Sequence, residues 1–476
     1  MKIILMILIA ANLLSAEDLY QISRKTINEK EISIPKPVLE NAQDLANQAY
    51  NFAFQIVEEG QNIIKDLTIS NPRRELTIMV YINAKSDLED EGLMNVNDME
   101  RIGSTKDVNI IVEFGRMNGQ EGDTHADGDW VGIKRYYIKK DSDIHKINSV
   151  VVYSKIGPKR YDMGDFKKVI DFVKWTKNKF PANRYILILW NHGTGWLDPQ
   201  KRKVSRGISF DWETGNYITT EEIGNIVRSV GGVDILAFDA CLMQTAEVLA
   251  EVKDYTKVVI GSEEVVPGYG YPYALFLDAI VKNPNMSDEE IAATVVKAFK
   301  TFYSYVEIPA TLSAIRSDKI KGLFDRMREF SKAAMEADEI EAVKKARKNV
   351  IRYDIFDKVD PDKTISFFGD LSDFARIVSE NISRHDEKSK ILKSKANQLI
   401  SYIDRELVIA RESFGAEKTG KPLSLSKGVS VYIPPVMTSI TYERIDSTFN
   451  HPYSDFRFAK ESGWDVFVRF VYEKAK

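Results

Sequence analysis

Arg184-Tyr185-Ile186-Leu187-Ile188-Leu189-Trp190 is a run of strand length, apolar from Tyr185 onward. Alternate residues of a strand face opposite sides, so such a run is covered on both faces instead of standing half in water. A helical pattern over 166–179 leads into it, and another over 220–230 leads away to Val233-Asp234-Ile235-Leu236-Ala237-Phe238. A further helical stretch, 244–252, precedes Lys257-Val258-Val259-Ile260-Gly261. Upstream, 76–82 and 108–114 are runs of the same kind, separated by a helical pattern over 87–102, and a polar, hairpin-like section fills 116–154. Strands alternating with helices in this way predict an α/β fold, a mostly parallel sheet with helices on both faces. From residue 283 onward helical patterns dominate, at 288–305, 318–337 and 389–407, with strand-like pieces at 311–315 and 428–433. This organisation predicts a sheet domain over 76–282 and a more helical domain over 283–476.

The flanking N-terminal region has another texture. Met1-Lys2, an apolar run from Ile3 to Leu14, and Ser15-Ala16 before Glu17-Asp18 have the layout of a secretory signal peptide over 1–16. The run is shorter than the roughly 20 residues of a spanning helix, and no other segment has transmembrane character. Residues 17–75 are polar and read as a helical segment or propeptide, with Pro35 and Pro37 breaking the chain before an amphipathic pattern over 38–67. Lys and Arg total 66 against 70 Asp and Glu, a net charge of −4. So balanced a chain has no global field for holding nucleic acid or an anionic membrane. Its 476 residues contain one cysteine, Cys241, which excludes an intramolecular disulfide. In an exported chain, a lone thiol is either inert and buried or reactive.

The neighbours of two residues decide where chemistry is expected. Trp190-Asn191-His192-Gly193-Thr194-Gly195-Trp196 places a histidine just past a buried strand, with glycines that let the backbone turn and a ligand approach. The other histidines, His125, His145, His385 and His451, lack that setting. Phe238-Asp239-Ala240-Cys241-Leu242-Met243 places the thiol past the next strand, before a helix whose N-terminus favours thiolate. Sites of parallel sheets lie beyond the carboxyl ends of the strands, where both residues fall. His192 would take the thiol proton and Cys241 would attack a carbonyl carbon. Asp239, two residues from Cys241, would share its face if strand geometry persists. A carboxylate opposes thiolate formation, so its presence suits a guanidinium or ammonium group on a substrate. The residues alone leave open a structural histidine in a tight turn, an ordinary buried thiol and an aspartate that caps the next helix.

His192-Gly193-Thr194-Gly195-Trp196 and Asp239-Ala240-Cys241-Leu242-Met243 together resemble the clostripain family of caspase-like cysteine peptidases. Val80 to Glu89 is similar to the family's opening strand and turn, and Ser262-Glu263-Glu264 with Pro267 to Tyr273 to its segment after the nucleophile. Weaker similarity continues through 368–371 and 428–432. The resemblance implies a caspase-like sheet and a Cys241–His192 dyad with no required third member. It also implies an oxyanion hole from the backbone N–H groups of Gly193 and Cys241, and Asp239 lining the pocket for the residue before the cut. The expected substrates are therefore proteins or peptides with Arg or Lys at that position. Lys85 stands where an acid is expected, and Tyr269 and Tyr271 bear on the pocket wall. The resemblance further implies a zymogen cut between His192 and Cys241. Gln200-Lys201-Arg202-Lys203-Val204-Ser205-Arg206-Gly207 is a basic loop in that interval, with Arg206 favoured for the cut and Lys203 next, although a solvated basic turn has the same composition.

No cofactor is expected for the chemistry. Clostripain-like enzymes can depend on calcium, and Asp123, Asp127 and Asp129 could offer oxygen ligands, yet no EF-hand spacing is present and an acidic surface loop explains them. Gly-x-Ser-x-Gly and His-Glu-x-x-His are both absent from the sequence. The expected function is thus an exported cysteine endopeptidase, with legumain-like or gingipain-like specificity as the enzymatic rival. A non-catalytic binding or adhesion protein that keeps the caspase-like fold is the rival from another class.

Overall fold

The structure is a computed structural model that describes residues 72–159, 161–197, 207–354, 366–435 and 453–475. The expected signal peptide, nearly all of the expected N-terminal segment, and both expected processing positions, Lys203 and Arg206, lie outside them. Residues 70–476 form one compact unit.

The apolar runs form the strands β1 (Arg74–Asn83), β2 (Val108–Arg116) and β5 (Ala182–Trp190), and the polar section after β2 supplies β3 (Gly132–Tyr137) and β4 (Val150–Ile156). A short hairpin, β6 (Ile208–Asp211) and β7 (Asn216–Ile218), precedes β8 (Val233–Asp239), β9 (Thr256–Gly261) and β10 (Ala310–Arg316). β11 (Arg352–Tyr353), β12 (Phe368–Asp370), β13 (Val408–Phe414) and β14 (Ser430–Tyr432) follow. Nine strands make the main sheet in the order β13-β10-β9-β8-β5-β1-β2-β3-β4. Its centre, β9-β8-β5-β1-β2, is parallel, and antiparallel strands extend both edges. A three-stranded sheet, β11-β12-β14, stands apart from it.

The expected alternation is visible in β5. Leu187 and Leu189 enter one core with Met79, Tyr81, Leu236 and Phe238. Ile186, Ile188 and Trp190 enter the other with Ile78, Val80, Ile82, Ile235 and Ala237. The second core is closed by α1 (Glu89–Glu100), through Leu93, Val96 and Met99. The first is closed by α2 (Phe166–Lys179), α3 (Thr220–Ser229) and α4 (Ala246–Val252). Returning to the second core, α5 (Tyr273–Lys282) and α6 (Asp288–Tyr305) complete its cover. The later helices α7 (Ile320–Ala337), α8 (Ile340–Asn349), α9 (Leu371–Glu380), α10 (Glu387–Tyr402), α11 (Arg457–Ser462) and α12 (Trp464–Lys474) enlarge the first core.

The helix-rich portion expected after residue 283 is present, but it shares the compact unit of the sheet. β10 pairs with β9, and β13 pairs with β10, so the sheet continues across the expected boundary at 282/283. Among the described residues no helix is long and apolar enough to cross a membrane.

Candidate active site

β5 and β8 are neighbours in parallel register, with Trp190 opposite Asp239. The chains beyond them stay together: Asn191 N–H donates to the Asp239 carbonyl at 3.3 Å. A Cβ at Gly193 would lie 2.4 Å from the Cys241 carbonyl oxygen and 3.1 Å from its nitrogen. Only glycine permits that approach. The Gly193 N–H also faces the Cys241 sulfur. The segments carrying His192 and Cys241 therefore meet at the carboxyl end of the sheet.

The setting of Cys241 differs from the expectation in one respect. The helix after β8 begins only at Ala246, and its first turn is capped by the Thr245 side chain, which accepts from Val248 N–H. Between strand and helix the chain makes a turn in which Leu242 has a positive φ of 62°. The helix N-terminus is therefore not at the thiol. Burial pushes the thiol up to about 11, opposed by backbone hydrogen bonds from Val266 and Gly193. Glu264 and Asp354 also face the sulfur and raise it further. These surroundings favour the neutral thiol over the thiolate.

Asp239 ends β8 and is only 3% exposed. Its Oδ2 accepts from Tyr271 N–H at 3.0 Å and from the Tyr273 hydroxyl at 2.9 Å. Its Oδ1 is buried with no hydrogen-bond partner among the described residues. Burial pushes the carboxyl up to about 7, opposed by those two hydrogen bonds. The cap of the next helix is Thr245, so Asp239 is free of that duty. Gly270, with φ of 64°, lies over the carboxylate, because a Cβ there would meet Oδ2 at 2.9 Å. Tyr269 stands nearly half exposed on the same loop.

A residue that motif reading did not single out completes the picture. The Asp87 carboxylate lies 2.7 Å from His192 Nε2, the two side chains being 37% and 27% exposed. The hydrogen bond to His192 holds the Asp87 carboxyl below the usual range, although partial burial opposes it. Asp87 occupies the turn after β1. Its neighbour Lys85 is fully buried, with Nζ donating to Tyr161 O at 2.6 Å and to Glu213 at 2.8 Å. The cation that replaces the expected acid therefore serves the β6–β7 hairpin and not a substrate pocket.

The whole of this arrangement falls within residues 80–470, which match the C11 peptidases described as the clostripain family. The chain belongs to the clostripain family. Over 237 residues it is 26% identical to clostripain of Hathewaya histolytica, covering 46% of this chain and 45% of clostripain, so the match spans a little under half of that relative's length. The fold resembles that of a secreted C11 cysteine protease from Bacteroides thetaiotaomicron in complex with an irreversible peptide inhibitor, with a TM-score of 0.58 and 17% identity over 82% of this chain and 99% of that one. It also resembles an inactive zymogen C11 protease from Parabacteroides distasonis, with a TM-score of 0.55 and 19% identity over 82% and 99% of the two chains. At such identities the likeness establishes the clostripain-family fold: a mixed, mostly parallel sheet with helices.

The described residues on either side of the basic interval lie beside the site, since Thr194 N–H donates to Gly207 O at 2.9 Å and Gly193 bridges Ile208. The carboxylates of the acidic loop face separate donors: Asp123 accepts from Gly119 N–H, Asp127 from Trp130 Nε1 and Ile147 N–H, and Asp129 meets His125. Among the described residues no group of three or more His, Cys, Asp or Glu side chains is set to hold a metal ion.

Proposed function

We propose that this chain is an exported cysteine endopeptidase that cuts after Arg or Lys, with Cys241 as nucleophile and His192 as its base. The observation that carries the reading is the meeting of the two strand ends, with the Gly193 N–H against the Cys241 sulfur. The buried, unpartnered Oδ1 of Asp239 supports the choice of a cationic side chain, because a guanidinium or ammonium group would satisfy it. Export is supported by the N-terminal pattern and by the related Bacteroides protease described as secreted.

In this mechanism the substrate's basic side chain pairs with Asp239 and brings the carbonyl of that same residue to Cys241. The thiol proton passes to His192, and the thiolate attacks the carbonyl carbon. Negative charge on the carbonyl oxygen is met by the N–H groups of Gly193 and Cys241. The C–N bond then breaks, His192 returns the proton to the leaving amine, and a thioester remains. Water, deprotonated by His192, hydrolyses that thioester and restores the thiol. A thiol raised by burial is a poor nucleophile until its proton is taken, which is the role proposed for His192.

Self-processing belongs to the same proposal, with cuts after Arg206 or Lys203. The zymogen among the structural relatives supports it, as does the basic loop. The test uses the full chain with fluorogenic peptide amides ending in Arg, Lys, Asn or Asp. Cleavage of the Arg and Lys substrates, abolished by Cys241→Ala and by His192→Ala, is the expected outcome. Activity that survives either change would remove the dyad, and equal turnover of all four peptides would remove the pocket assignment. Purified Cys241→Ala should remain one chain, and its recovery in two pieces would refute self-processing.

A further inference from the structure

We infer that Asp87 is a positioning residue for the proposed reaction, fixing the His192 ring and supporting the imidazolium that forms when Cys241 gives up its proton. The inference rests on the peptidase reading and adds a third member to a pair for which none was required.

The geometry is direct. His192 Nε2 and Asp87 Oδ1 are 2.7 Å apart. With Nε2 engaged by a carboxylate, Nδ1 is the ring nitrogen left to exchange a proton with the sulfur. The thiol proton goes to Nδ1, while the Nε2 proton stays in its hydrogen bond to Asp87. The proton on Nδ1 then passes to the leaving amine. Asp87 gains and loses nothing, and it acts by tautomer, orientation and charge.

The charges around the sulfur make this support necessary. Glu264, after β9, and Asp354, after β11, both face Cys241 and oppose its ionisation. Lys418 faces those two carboxylates and offsets them in part. In the proposed dyad the imidazolium is a cation that offsets the developing thiolate, and a carboxylate on the ring's other nitrogen makes it easier to form.

The turn that carries Asp87 is held rigid from several sides. Trp212 N–H donates to Lys85 O at 2.9 Å, and Asn191 Nδ2 donates to Asn83 O at 2.6 Å. Loop 117–130 presses on it so closely that a Cβ at Gly122 would lie 2.7 Å from Asp87 O. Asn191 is also the residue before His192, so the turn and the histidine share one support. An aspartate placed only to make a surface ion pair would need none of this.

The test compares the full chain with Asp87→Asn and Asp87→Ser. It measures turnover of a fluorogenic Arg peptide amide, the pH profile of Cys241 alkylation by iodoacetamide, and thermal midpoints. The expected result is a kcat lower by about tenfold or more, part of what a positioned acid–base group supplies, with KM little changed. The alkylation midpoint should move to higher pH. In a His192→Ala background the same changes should leave alkylation unaffected, because Asp87 acts through the ring. Unaltered kcat and alkylation in both variants would overturn the inference, as would an equal effect of Asp87→Asn with and without His192. The alkylation arm decides about Asp87 even if the parent chain cleaves no basic peptide, an outcome that would instead count against the peptidase reading.

Discussion

Asp239 has one oxygen held by Tyr271 and Tyr273 and another with no partner among the described residues. Replacing it with Asn removes the charge and keeps the shape. We expect Asp239→Asn to lower kcat/KM for Arg and Lys peptides by about a hundredfold or more, the scale of a buried charge pair. Folding should be undisturbed, as judged by the thermal midpoint. The carboxyl is pushed up to about 7 by burial. Its ionised form therefore gains as pH rises through that value, and KM for Arg peptides should fall between pH 6 and 8 in the parent chain. Steady-state kinetics across that range check this, and a flat KM would remove Asp239 from substrate binding. Asp239 could be read from its spacing to Cys241, since it lies two residues away. Asp87 could not be singled out in this way. Its partner His192 is 105 residues distant, and nothing local to Asp87 signals the pairing. Tyr271 and Tyr273 lay in a segment noted for its resemblance, yet the sequence holds no sign that both donate to one carboxylate.

At the level of elements, the central strands were legible because an apolar run covered on both faces has few other uses. β13 was not. Its sequence, Val408 to Phe414, includes Arg411 and Glu412, which suit an edge strand but give no apolar alternation. The start of α4 was also misplaced, because Gln244 continues the helical pattern while its N–H is bound to Ser262 O in the turn. The turn after β1 shows how an element can depend on one distant contact. Lys85 Nζ lies within 3.5 Å of Asp211 and 2.8 Å of Glu213, all of them buried or nearly so. Lys85→Met should cost about 3–5 kcal/mol in denaturant unfolding, because it strands buried carboxylates. A loss below about 1 kcal/mol, the range of an exposed pair, would mean that this ion cluster does not secure the turn.

For the whole molecule, several buried carboxyls bias stability toward mild acid. Burial raises Asp239, Glu247 and Glu264 to about 7 each. Glu263 is raised as well, first by burial and then by Asp370, with which it shares a hydrogen bond. A carboxyl raised in the folded state favours folding fully below its unfolded pKa, and that contribution is lost as pH rises through the folded value. The thermal midpoint of Cys241→Ala should therefore fall between pH 5 and pH 8 in calorimetry. A rise over that interval would contradict the burial of these groups.

The register of β5 against β8 carries one more consequence, because the basic interval separates them in the chain while the sheet joins them at its centre. A nick in that interval would leave two polypeptides zipped along adjoining strands and sharing two apolar cores. Such halves should coelute in gel filtration and come apart only in denaturant. Made from separate genes, they should reassemble into a complementing pair.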